Sequence, residues 1–179
     1  MKSKGRIFLL GMLMVIVGCM ATRFSDVWVD ETYQKGPIND ILVMAIFPSP
    51  ERAIMVEDEM ARQLRSRGVN TVQSYVEFPG KRPSEDEVMS LLDRRKMDAV
   101  LIAKFIKREY KSTGNPNDPY SAAGAQPYAV IETSLYDVKT QKKIWSALSE
   151  TWIVGMDSRL NSSFVSNVLK KLADDKFIR

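Results

Sequence analysis

Apolar positions recur along this chain in two kinds of run and at two spacings, and each predicts an element. Residues 41–47 (ILVMAIF) and 98–103 (DAVLIA) are nearly continuous apolar stretches with polar or Pro boundaries, as expected of strands buried on both faces. Between them Ala53, Val56, Met60 and Leu64 fall at helical spacing. Ser49 can cap that helix, Pro50 suits its first position, Glu51 favours its positive end, and Gly68 supplies the stop. Residues 69–78 return to period two, with Val72, Val76 and Phe78 on one face, and read as a strand. Pro79-Gly80 and Pro83 end it. Ser84 and Glu87 then show capping-box spacing ahead of Val88, Met89, Leu91 and Leu92, which predicts a second helix.

The second half is richer in strands. Residues 104–111 extend the 98–103 strand as a more polar segment that projects past the sheet. Residues 113–127 carry three Pro and two Gly and form the longest break in the domain. Residues 128–138 and 142–154 are β-rich and joined by Lys139-Thr140-Gln141, a hairpin signal. An amphipathic helix over 158–176 closes the chain, with Leu160, Phe164, Val165, Val168, Leu169 and Leu172 on one face. The expected fold class is α/β (α+β), a single mixed sheet in the order β-α-β-α-β-β-β-α with helices packed on it. The two crossovers require parallel neighbours and the hairpin requires antiparallel ones. By parity Trp145 and Trp152 face opposite sides of their strand, so one belongs to the core.

The amino-terminal segment sets the domain division. Lys2, Lys4 and Arg6 precede an apolar run, residues 7–18, which is too short for a stable membrane span. It ends in Ile16-Val17-Gly18-Cys19, and Cys19 is the single Cys of the chain. This ending resembles the lipobox of bacterial lipoprotein signal peptides. The resemblance implies that residues 1–18 are removed and that Cys19 is diacylglyceryl-linked and then acylated, a palmitate-type anchor. One acyl chain holds a protein only marginally, at ~0.8 kcal/mol per buried methylene, whereas three on one Cys hold it stably. Met20 and Ala21 follow, with no Asp at the second position. By likeness to the enterobacterial sorting rule, that implies the outer membrane, periplasmic face. Residues 19–39 are expected to be a tether, with a short extended piece at 27–29, and residues 40–179 the periplasmic domain. Such a tether reaches several nanometres at ~3.3–3.6 Å per residue.

Composition narrows the chemistry. The hydrophobic fraction of 45% suits a globular core. Of 26 basic side chains three lie in the signal, leaving 23 against 22 acidic ones, so the basic pI gives no argument for nucleic acid. With no His, and the Cys committed to lipid, Ser-His-Asp and Cys-His catalysis and the common zinc sites are excluded. No glycine cluster could cradle a phosphate. Glu57-Asp58-Glu59 and Glu85-Asp86-Glu87 are read as solvated helix faces, because consecutive helical residues splay around the axis. The basic groups Arg62/Arg65/Arg67, Arg94-Arg95-Lys96 and Lys142-Lys143 are read as surface, each with acids nearby. No enzyme activity, cofactor or metal is expected. The 113–127 loop, with Tyr110, Tyr120 and Tyr128, and with Trp152 nearby, is the candidate partner-binding region.

Three stretches carry a further resemblance. They are the strand-helix unit ending Leu64-Arg65-Ser66-Arg67-Gly68-Val69, the strand of residues 98–103, and the hairpin Tyr136-Asp137-Val138-Lys139-Thr140-Gln141-Lys142-Lys143-Ile144-Trp145. Together they are similar to small periplasmic lipoprotein domains: the TolB amino-terminal domain, activators of penicillin-binding proteins, and outer-membrane lipoproteins of curli and exopolysaccharide export. Gln141 stands where that hairpin has its turn Gly. The resemblance implies a lipid-anchored adaptor or assembly factor whose partners are envelope proteins or peptidoglycan and polysaccharide machinery. A homo-oligomeric secretion or export ring is the alternative.

Overall fold

The computed structural model describes residues 22–34, 36–112, 124–152 and 158–179, without the side chains of 112 and 158–161. The lipobox residues Ile16, Val17 and Gly18, Cys19 and Tyr120 lie outside the described residues. Six strands, β1 (Thr22–Val29), β2 (Asp40–Ile46), β3 (Asn70–Gln73), β4 (Ala99–Ser112), β5 (Ala125–Asp137) and β6 (Lys142–Trp152), form one sheet in the order β1-β6-β5-β4-β2-β3. β2 is parallel to β3 and β4, and the remaining pairs are antiparallel. The mixed α/β sheet expected from the sequence is therefore present.

Four helices complete the fold among the described residues: α1 (Pro50–Ser66), α2 (Ser74–Glu77), α3 (Glu85–Arg95) and α4 (Ser158–Asp174). Ser49 caps α1 through the Arg52 amide, and Ser84 and Glu87 close a reciprocal capping box on α3. α1 and α4 cover one face of the sheet. There Val56, Met60 and Leu64 of α1 and Phe164, Val168 and Leu169 of α4 bury against Ile41, Leu101, Leu135 and Trp145. α3 lies on the other face and packs Leu91 and Leu92 against Leu42 and Val100. It reaches only the β2 and β4 side, and among the described residues no helix packs over β5, β6 and β1 on that face.

Three expectations are corrected. The break read at 113–127 is shorter, because residues 125–127 open β5 opposite Tyr110, Lys111 and Ser112. Residues 22–29, read as tether, are β1, an edge strand paired along β6 from Thr22 opposite Thr151 to Val29 opposite Trp145. The connection after it is also part of the domain: Ile38 is buried and its amide bonds the Phe177 carbonyl at 2.8 Å. Residues 69–78 are not one strand. β3 stops at Gln73 and the chain turns into α2, because the buried Glu57 carboxylate captures Ser74 Oγ at 2.7 Å and the Tyr75 amide at 3.1 Å. Val76 is consequently exposed while Phe78 joins the α3 cluster.

Candidate interaction surfaces

The bare part of the sheet follows from strand parity. In β5, Ile131, Thr133 and Leu135 point to the α1–α4 side, so Glu132 and Ser134 point away. In β1 a bulge between Phe24 and Asp26 resets the alternation, so that Val27 and Val29 pack inward and Trp28 emerges on the uncovered face, 45% exposed. Trp28 stands opposite Ser146, and the Lys143 ammonium lies 5.7 Å from its ring centroid. With Asp26, Glu132 and Leu148 these residues line a shallow groove of about 410 Å³. It offers an aromatic platform rimmed by both signs of charge.

A second cluster sits where β4, β5 and β6 run out together. Tyr128 is buried rather than exposed, its ring tilted against that of Trp152 with centroids 5.8 Å apart, and Trp152 is half-buried on the face opposite Trp145. The Tyr128 hydroxyl donates to Glu109, and that bond, with burial, pushes the phenol up to about 12. Lys111 lies 4.7 Å from the Tyr128 ring centroid and pairs with Glu150. Tyr110 is the most open of the described aromatic candidates, 62% exposed. The structure thus joins Tyr128 and Trp152 in one packed unit and leaves Tyr110 exposed.

At the opposite end of the sheet a groove of about 600 Å³ runs between residues 29–37 and 173–178. Tyr33 stacks on Phe177 at 5.6 Å, and Asp175 accepts from Trp145 Nε1 at 2.8 Å and Lys171 at 2.6 Å. These polar groups tie α4 to the sheet.

The acidic triplets separate as helix geometry requires, but with one correction. Glu57 is not on a solvated face; it is 2% exposed, accepts also from the Ala45 amide at 2.8 Å, and burial pushes its carboxyl up. Its neighbours point elsewhere: Asp58 accepts from Tyr75, and Glu59 is held to about 2 by the Arg62 guanidinium. The basic groups are largely spoken for. Arg65 bonds the Thr71 carbonyl and Gln73, Arg67 the Gln63 carbonyl, and Arg94 and Arg95 both reach Glu77. Among the described residues no group of three or more acids, Cys or His is placed to hold a metal, and no helix is long and apolar enough to cross a membrane.

No family model matches the chain, and no curated protein matches it in sequence. Solved structures do share its fold. The PelC dodecamer from Paraburkholderia phytofirmans is 18% identical over 88% of this chain and 97% of its own, with a TM-score of 0.54. A point variant of that dodecamer, in another crystal form, gives 18% over 78% and 95%, with a TM-score of 0.50. Lipoprotein GNA1162 from Neisseria meningitidis is 19% identical over 76% of this chain and 99% of its own, at 0.47. At such identities the likeness is one of fold. The envelope-lipoprotein fold expected from residues 64–69, 98–103 and 136–145 is shared with the PelC structures.

Proposed function

We propose that this is a lipid-anchored envelope protein, held by Cys19 at the periplasmic face of the outer membrane, and that it works as a non-enzymatic adaptor or assembly factor. The observation that carries the reading is the sheet face across β5, β6 and β1, over which no helix packs among the described residues. A domain that buries its other face under two helices leaves Trp28 exposed and Leu148 half-buried beside Asp26, Glu132 and Lys143. An exposed Trp with a polar rim is the composition of a protein-recognition patch, not of a pocket that does chemistry. The anchor supports the same role, since confinement at a membrane raises the effective concentration for envelope partners.

A ring of identical subunits is the second reading. It is favoured by the shared fold of the PelC dodecamer and by the eight-residue edge strand β1, whose outer side has no strand partner among the described residues. The native mass of the lipidated protein in detergent separates the two. A monomer fits the adaptor, and photo-crosslinking from Leu148 should then give one discrete envelope adduct that Trp28→Asp abolishes. A discrete high-order oligomer moves the function to a ring. A monomer with no adduct from Leu148 refutes the bare face as a recognition surface.

A further inference from the structure

Where the anchor joins the domain fixes which end of the sheet can meet the lipid. We infer that the end where β1 begins, comprising the outer half of the β4–β5 pair and the first turns of α1, lies against an anionic lipid headgroup surface. The inference rests on the lipid anchor at Cys19. Only Met20 and Ala21 separate Cys19 from Thr22, the first residue of β1, a covalent reach of at most ~10 Å. A lipid on Cys19 therefore holds this end of the sheet at the surface instead of letting the domain roam on a tether.

The register shows what else is at this end. Thr22 is opposite Thr151, and Tyr128 is opposite Trp152. β4 and β5 continue past both to the pair Ser112 and Ala125. β2 ends at Ile46, opposite Lys104, so the start of α1 sits here as well, and Phe47 packs on Phe105 with ring centroids 6.1 Å apart.

Among the described residues six large apolar side chains are exposed: Trp28, Ile54, Met55, Val76, Ile106 and Tyr110. Four of them, Ile54, Met55, Ile106 and Tyr110, belong to these segments, whereas Trp28 is on the open sheet face and Val76 on α2. Basic residues accompany them: Arg23 on β1 and Lys107, Arg108 and Lys111 on β4. The nearby acids are Glu51, which accepts from Ser49, and Glu109 and Glu150, which are paired with Lys107 and Lys111. Exposed Tyr and apolar residues interleaved with Lys and Arg suit the headgroup layer of an anionic leaflet.

The backbone limits the depth. Beyond Lys104 the β2 side of β4 has no strand partner among the described residues, so its open amides and carbonyls need water or headgroups and cannot enter hydrocarbon. The contact is interfacial.

The test uses the full chain, processed and purified with its lipid, in vesicles of phosphatidylethanolamine and phosphatidylglycerol. An environment-sensitive fluorophore is placed on Tyr110→Cys or, at the far β5–β6 turn, on Lys139→Cys. Quenching by headgroup spin-labelled lipid is then compared, with the mass of the Cys19 peptide read in parallel. With lipid on Cys19, the probe at 110 should be quenched at least about twofold more than the probe at 139, as burial at interfacial depth requires. Lys107→Glu with Arg108→Glu should narrow that difference. Equal quenching on a lipidated chain would overturn the orientation and leave the anchor standing. A Cys19 peptide without acyl chains would overturn both.

Discussion

The two faces of the sheet are built from the same strands and are held to different standards. On the α1–α4 side, alternate residues of β4, β5 and β6 meet two 17-residue helices and leave almost nothing exposed. On the other side α3 covers β2 and β4 with a cluster of six buried residues, and the adjoining strands carry Asp26, Trp28, Glu132, Ser146 and Leu148 outward. The lesson is one of division: one face is packed by helices across its width, and the other only over β2 and β4, so that its remainder can vary in chemistry.

The largest effect should come from the covered face. Leu169→Ala is expected to cost ~2–5 kcal/mol in urea denaturation, because Leu169 is fully buried in the larger core. Leu91→Ala should fall at or below the lower end of that range, since the smaller cluster lies closer to solvent and can collapse. An equal loss at both sites would end the asymmetry.

Next comes the junction between faces. Glu57→Ala orphans two amides and the Ser74 hydroxyl and should cost about 3 kcal/mol. Its pH signature has a definite sign. Burial raises the folded-state pKa above the unfolded one, so the associated stability is complete below the ordinary value of 4.5 and is lost as pH rises through the folded value. Glu57→Gln should remove that slope from a series of melts across this range. Glu59 acts oppositely, contributing stability above 4.5 that fades towards about 2, and by less than ~1 kcal/mol because Arg62 is largely exposed.

A smaller gain is available at the β5–β6 turn. Gln141 adopts φ +56, a conformation that costs a side-chain-bearing residue about 1 kcal/mol. Gln141→Gly should raise the melting temperature by ~2–4 °C. The smallest stability change belongs to the bare face: Trp28→Ser should stay within about 0.5 kcal/mol. A large loss there would mean that Trp28 belongs to the core.

The parts of the fold legible in the sequence are those in which local pattern and tertiary contact agree. The runs at 41–47 and 98–103 form strands, the starts of α1 and α3 are capped, the hairpin turn falls at 139–141, and Phe164, Val165, Val168, Leu169 and Leu172 of the α4 stripe are buried. β1 escaped because its bulge breaks the period: Phe24, Val27 and Val29 share a face only when one residue is skipped between them. The strand read across 69–78 failed for the opposite reason. Its alternation was sound, but Glu57, 17 residues away, redirected the backbone. The same distant contact hid the buried state of Glu57, which looked like one more acid in a charged run. Of the surface candidates, exposure separated Tyr110 from Tyr128, and nothing local to either residue could have done so. The bare face around Trp28 was illegible until β1 was known to exist.

One pairing has a consequence for how the molecule is made. The Thr22 and Thr151 hydroxyls meet at 3.1 Å across 129 positions of sequence, so the first strand of the domain to be synthesised waits for the last. Loop closure over that span adds little to the equilibrium cost but slows the search. In the interval β1 is a nascent strand with free backbone, and Arg23, Ser25 and Asp26 along it are the kind of residues that discourage wrong partners. The sheet should therefore fold from its centre, β2, β4 and β5, outward. In hydrogen exchange β1 should be the first strand to open, a hem sewn on after the cloth is woven.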